Sequence, residues 1–185
     1  MVNNLYGNKR TVWYLDSFEG LPKPTKEDGE RSKLLGEGSL KANYEDTKKF
    51  IYETLKLPKD NNIIVKGYFK DTIPTLRLNK IAILRIDADY YESYKLVLEN
   101  FYHRVVPGGY VIFDDYGSWE GAKKAVDEFF KGSVKLKYLT KPPCPAYIKK
   151  KEIPLFKLLI SLIISLLFLI VIWIKEKNGT HRKTP

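Results

Sequence analysis

Carboxylates follow short apolar runs at three places in the chain. YLDSFEGLP carries Asp16 and Glu19, RIDADYYES carries Asp87 and Asp89, and VIFDDYG carries Asp114 and Asp115. Apolar strands that end in acids at one sheet edge bring negative charges together, which is costly unless a cation or ligand hydroxyls compensate. Hard oxygen ligands of this kind suit Mg²⁺, which keeps some of its water and accepts substrate oxygens. Asp87, Asp114 and Asp115 therefore form a candidate divalent site. Any one of these acids is explained as simply by capping a following helix or turn, but five aspartates at three strand ends are not. An acid that ends a strand of a doubly wound sheet also accepts hydrogen bonds from the ribose of a nucleotide-like cofactor. Asp16 is thus read either as such a ligand or as a turn cap.

These acids need a sheet to hold them. Short apolar runs alternate with helical patterns, which predicts an α/β domain with a largely parallel, buried sheet. Strands are expected at Thr11 to Leu15, Asn62 to Lys66, Ile81 to Ile86 and Tyr110 to Phe113. Helices are expected from Tyr44 to Leu57, ending before Pro58, then from Tyr91 to Arg104 and from Gly117 to Phe130. Pro22 to Lys41, rich in charge with Pro and Gly, reads as a long loop, and Pro107-Gly108-Gly109 as a break before the fourth strand. Val134 to Leu139 with Ala146 to Ile148 forms a plausible terminal hairpin. In such sheets ligands gather outside the carboxyl ends of the strands, where the acids stand.

The chain has 185 residues, 44% apolar and 29% charged, which excludes disorder throughout and fits one ordinary domain plus a short extra segment. One cysteine, Cys144, excludes an intramolecular disulfide framework and any multi-Cys metal site. The extra segment is Leu155 to Ile174, 20 residues with Lys157 as their only charge. At about 1.5 Å per residue such a helix covers roughly 30 Å, the thickness of a bilayer core. We expect residues 1–153 to form the α/β domain, 154–175 a transmembrane helix and 176–185 a polar tail. With no signal peptide at the N-terminus, the simplest topology is a single-pass C-terminal membrane anchor with the domain in the cytosol. The formal charge is +10. Setting aside Lys157, Lys175, Lys177, Arg182, Lys183 and Glu176 leaves 27 basic against 21 acidic side chains, a mildly basic surface. It lacks the basic and aromatic interleaving of a nucleic-acid groove, so no nucleic-acid partner is expected.

Taken in order, VWYLDSFEGLP, VKGYFKDTIP, LRIDADYYESY, PGGYVIFDDYG and AVDEF resemble the macrocin O-methyltransferase family over about residues 11 to 150. The resemblance implies a Rossmann-like class I methyltransferase fold, S-adenosylmethionine as methyl donor, a Mg²⁺ ion that holds the acceptor, and a sugar or glycosylated molecule as acceptor. By position, Asp87, Asp114 and Asp115 match the family's metal-binding aspartates and Asp16 the acid that holds the cofactor ribose. Gly67, Tyr68 and Phe69 fall where a loop would approach the adenine. Coordination to Mg²⁺ acidifies a sugar hydroxyl and aligns its oxygen with the sulfonium methyl. The proton then needs an acceptor. His103 lies in a helix expected on the wrong side of the sheet and His181 lies beyond the apolar run, which leaves Asp89 or a metal-bound hydroxide as base.

Family members carry a strand, a glycine-rich turn and a helix ahead of the VWYLDSFEGLP segment. That element needs about 30 residues, and ten precede Thr11, so the sheet is expected to be N-terminally truncated. A start further upstream, a second chain that completes the fold, as in a homo-oligomer, and loss of methyl transfer each account for this. The competing readings are a membrane-tethered methyltransferase, a non-catalytic binding module that keeps the acidic pocket, and a glycosyltransferase using Asp87-Ala88-Asp89.

Overall fold

A computed structural model of the chain describes residues 10–139 and 145–151. Met1–Lys150 form one compact unit, to which all described elements belong. The expected transmembrane segment lies outside the described residues; among those, no helix is long and apolar enough to cross a membrane.

Strands β1 (Val12–Asp16) and β2 (Asn62–Lys66) pair in parallel, as do β3 (Ile81–Ile86) and β4 (Val105–Phe113). Two short strands, β5 (Lys137–Tyr138) and β6 (Ala146–Lys149), extend the second pair in antiparallel fashion, giving the order β3-β4-β6-β5. The expected parallel pairing thus holds for β1 with β2 and β3 with β4, but in two sheets and not one, and the acids follow β1, β3 and β4. The hairpin forms with a shorter first arm than Val134 to Leu139.

Helices α1 (Gly29–Leu35), α2 (Tyr44–Lys49), α3 (Phe69–Thr72), α4 (Tyr91–Phe101) and α5 (Glu120–Phe130) connect them. In α4 the buried residues Tyr91, Tyr94, Val97, Leu98 and Phe101 follow helical spacing, as do Ala122, Ala125, Val126 and Phe130 in α5. Together they cover the sheet face that carries Ile86, Val111, Phe113, Ala146 and Ile148. The pleat sends Ile83 and Tyr110 to the opposite face, where both are exposed.

Several boundaries differ from expectation, among them the start of α5, which begins at Glu120 and not Gly117. The Pro22 to Lys41 loop contains a 3-10 turn, Lys26–Asp28, and α1, because the Asp28 carboxylate accepts from Thr25 N (2.7 Å), Thr25 Oγ1 (2.9 Å) and Tyr91 N (2.6 Å). The helix expected over Tyr44 to Leu57 is α-helical only to Lys49 and then widens into a π-helical segment, Phe50–Thr54. The helix expected over Tyr91 to Arg104 is α-helical to Phe101 and closes with a 3-10 turn, Tyr102–Arg104. Lastly, β4 runs through Pro107-Gly108-Gly109 instead of starting after it. Gly108 at φ +80° makes a bulge, seen as a register shift between Ile81 and Ile83, and a Cβ on Gly109 would lie 2.8 Å from the Ala82 carbonyl oxygen. Backbone bonds from Gly108 to Lys150 and from Lys150 back to Gly109 hold the bulge in place.

Candidate functional site

The parallel register brings the ends of β3 and β4 level, with Ile86 opposite Phe113 and Asp114 N donating to the Ile86 carbonyl (3.0 Å). Asp87 and Asp114 therefore leave adjacent strands side by side. One carboxylate oxygen from each of Asp87, Asp114 and Asp115 lies within 4.8 Å of the others. Burial deepens along the trio: Asp87 is exposed, Asp114 half-buried and Asp115 buried.

Asp115 is fixed by its surroundings. Its Oδ2 accepts from Ala88 N (3.0 Å) and Asp89 N (3.1 Å), and the Tyr94 hydroxyl stands 3.0 Å away. That hydroxyl also accepts from Asp115 N (3.1 Å) and reaches the Ile86 carbonyl (2.9 Å). Burial raises the Asp115 pKa, and these hydrogen bonds oppose the rise. Burial likewise pushes the Tyr94 phenol far up, reinforced by Asp115, so it stays protonated. Among the described residues, the hydrogen bonds to the Asp115 carboxylate use Oδ2.

Asp89 adopts the left-handed conformation (φ +56°), and Tyr90 N bonds back to the Ala88 carbonyl (2.6 Å), so the chain turns sharply between β3 and α4. Burial first, then the Asp115 and Asp87 charges, push its carboxyl up to about 7, with Arg31 acting in the other direction. Arg31 is held over the Trp119 ring (4.5 Å) and donates to the Ser118 carbonyl (2.9 Å).

The remaining sequence candidates stand at the ends of the other parallel pair. Asp16 Oδ1 accepts from Phe18 N (2.7 Å), forming the turn cap weighed as its alternative role, and its carbonyl accepts from Gly67 N (2.9 Å). Gly67 has φ +138°, a conformation side chains rarely adopt. Tyr68 caps α3, and Phe69 packs against the core. Glu19 pairs with Lys41 (2.7 Å), and neither it nor Asp16 belongs to the metal-capable group found among the described residues.

Sequence reasoning passed over one residue at the centre of the site. Arg85 Nη1 lies 2.9 Å from Asp87 Oδ2, and its Nη2 lies 2.9 Å from Asp114 Oδ2. Its signal was legible: it is the one charge within the apolar run IAILRI.

The trio's chemistry fits Mg²⁺. An octahedral ion with bonds of about 2.1 Å sets its oxygens about 3 to 4.2 Å apart, so a set within 4.8 Å closes on it with shifts of under about 1 Å.

A family model described as Macrocin-O-methyltransferase (TylF) matches residues 1–139. Demethyldecarbamoylnovobiocin O-methyltransferase of Streptomyces niveus is 40% identical over 124 residues, covering 65% of this chain and 47% of that protein. The 8-demethyl-8-(2,3-dimethoxy-alpha-L-rhamnosyl)-tetracenomycin-C 4'-O-methyltransferase of Streptomyces olivaceus is 36% identical over 124 residues, covering 65% and 47%. The chain thus spans about half the length of the curated relatives it matches. Among solved structures it resembles the O-methyltransferase NovP, with a TM-score of 0.70 at 30% identity, over 82% of this chain and 64% of that one.

Proposed function

The chain belongs to the macrocin O-methyltransferase family, and from that premise we propose that it takes part in methyl transfer from S-adenosylmethionine to a sugar hydroxyl of a glycosylated acceptor, with Mg²⁺ held by Asp87, Asp114 and Asp115. The observation that carries this reading is the convergence of those three carboxylates at the carboxyl ends of adjacent parallel strands. One relative's name specifies a rhamnosyl substrate, which supports a sugar as the methylated group.

When bound, Mg²⁺ would supply acidity and orientation to the acceptor hydroxyl, and S-adenosylmethionine the electrophilic methyl. The protein's part follows from its side chains. Asp115, locked by Tyr94 and two backbone N–H groups, gives the site one immobile carboxylate, while the exposed Asp87 and half-buried Asp114 are bridged by Arg85. Asp89, half-buried and two residues beyond Asp87, stands beside the trio as the carboxylate that would accept the hydroxyl proton. Asp16, capped on one oxygen only, keeps the other for ribose hydroxyls, with Gly67, Tyr68 and Phe69 on the neighbouring strand end. The apolar run Leu155 to Ile174 tethers this domain to a membrane, with the domain on the cytosolic side, and a tether raises its concentration near a membrane-bound acceptor.

The test is incubation of the full chain with S-adenosylmethionine and glycosides bearing free hydroxyls, read by mass spectrometry with and without a chelator. Methylated product lost on chelation, and lost in Asp114→Asn, is expected. If calorimetry registers neither S-adenosylmethionine binding nor competition by S-adenosylhomocysteine, the chain is a binding module and not a methyltransferase.

A further inference from the structure

Strand pleating places Arg85 of β3 and Asp87, the residue just past its end, on one face. Ile112 is the β4 partner of Arg85, and Asp114, two residues beyond it, joins them on that face. The guanidinium lies between the two carboxylates, one nitrogen on each Oδ2 at 2.9 Å, so two of the three candidate metal ligands already share a positive charge. We propose that Arg85 is an internal counter-cation of the acidic trio, holding Asp87 and Asp114 together without metal and being displaced from them when a divalent ion enters. The inference rests on the metal reading above and adds to it an exchange step.

Two effects of Arg85 on metal affinity oppose each other. By keeping Asp87 and Asp114 close, it preassembles the ligands. By placing a unit positive charge on two of the carboxylates that would hold a doubly charged ion, it repels that ion. The ion pairs are half exposed on the Arg85 and Asp87 sides, and pairs so exposed shift an equilibrium only a few-fold. Repulsion between a single and a double positive charge within a few ångströms exceeds this even at high effective dielectric. Repulsion therefore wins, and loss of the guanidinium tightens metal binding. Asp115 is outside the exchange, since its hydrogen bonds come from Tyr94 and the backbone.

Mn²⁺ alone serves as the probe, its free concentration read by electron paramagnetic resonance against the full chain. Arg85→Gln is expected to bind Mn²⁺ at least roughly tenfold more tightly than wild type, and Arg85→Lys, which keeps the charge, within about threefold of it. Unchanged or weaker binding by Arg85→Gln overturns the exchange while leaving the metal site standing. Failure of wild type to bind Mn²⁺ at all overturns both. A second readout needs no variant: in nuclear magnetic resonance of wild type titrated with Mg²⁺, the Arg85 Nε–H signal should shift and saturate with the ion. A signal that stays in place while neighbouring amides titrate shows the guanidinium unmoved and overturns the proposal.

Discussion

At Asp89 three influences meet on one carboxyl: partial burial, the neighbouring Asp115 and Asp87, and Arg31 pulling the other way, with a net rise to about 7. An unfolded chain would titrate this group near 3.9. The folded state therefore holds the proton more firmly, and the contribution of Asp89 to stability falls as pH rises from about 4 to 7, with the full penalty above 7. In chelator, Asp89→Asn should leave the thermal midpoint near wild type below about pH 4 and raise it above pH 7, since asparagine tolerates the left-handed backbone and carries no charge. Melting curves across that range check this; a difference that does not vary with pH would sink it. The convergence of Asp87, Asp114 and Asp115 was legible because each follows an apolar run that had to be a strand. The part of Tyr94 was not, because a tyrosine at a helical core position gives no sign that its hydroxyl meets a strand end.

Between α4 and α5, Asp28 helps tie the Pro22 to Lys41 segment to the site. Asp28 is buried and bonds Tyr91 N in the first turn of α4, while a Cβ on Gly121 of α5 would overlap the Asp28 carboxylate and lie 2.8 Å from Tyr91 N. Asp28→Ala leaves a buried donor on Tyr91 and half-buried donors on Thr25 without their acceptor and should cost about 3 kcal/mol. Gly121→Ala overpacks the same spot and should cost about 1–3 kcal/mol alone. In the Asp28→Ala background the overlap with the carboxylate is gone and only the close approach to Tyr91 N remains, so the second substitution should cost about 1 kcal/mol less than alone. Urea denaturation of the four proteins measures this, and strictly additive costs would refute the shared contact. Local pattern could not reveal α1, because its stability comes from a residue 63 positions away in the chain. The bulge at Pro107-Gly108-Gly109 was missed for the opposite reason. Its residues are strong breakers taken alone, and pairing with β3 and with Lys150 overrides them.

Across the whole chain, β2 and β3 keep their expected bounds, and β1 is shifted by one residue. The order of the strands and the separation of β1-β2 from β3-β4-β6-β5 follow from long-range pairing that no local pattern encodes. The apolar run from Leu155 to Ile174 is the reverse case, legible from composition alone. Two forces could bring this chain to a bilayer: insertion of that run, or attraction of a +10 surface to anionic headgroups. They part company in salt. At about 1 M the screening length falls to about 3 Å, which removes attraction between exposed charges and headgroups but leaves the burial of apolar surface intact. Full-length protein should therefore float with phosphatidylcholine vesicles, which carry no net charge, and remain with vesicles containing phosphatidylserine at high salt. A version ending after Lys151 should stay in the soluble fraction of both. If salt releases the full chain from anionic vesicles and it never binds the neutral ones, the association is electrostatic and Leu155 to Ile174 does not span.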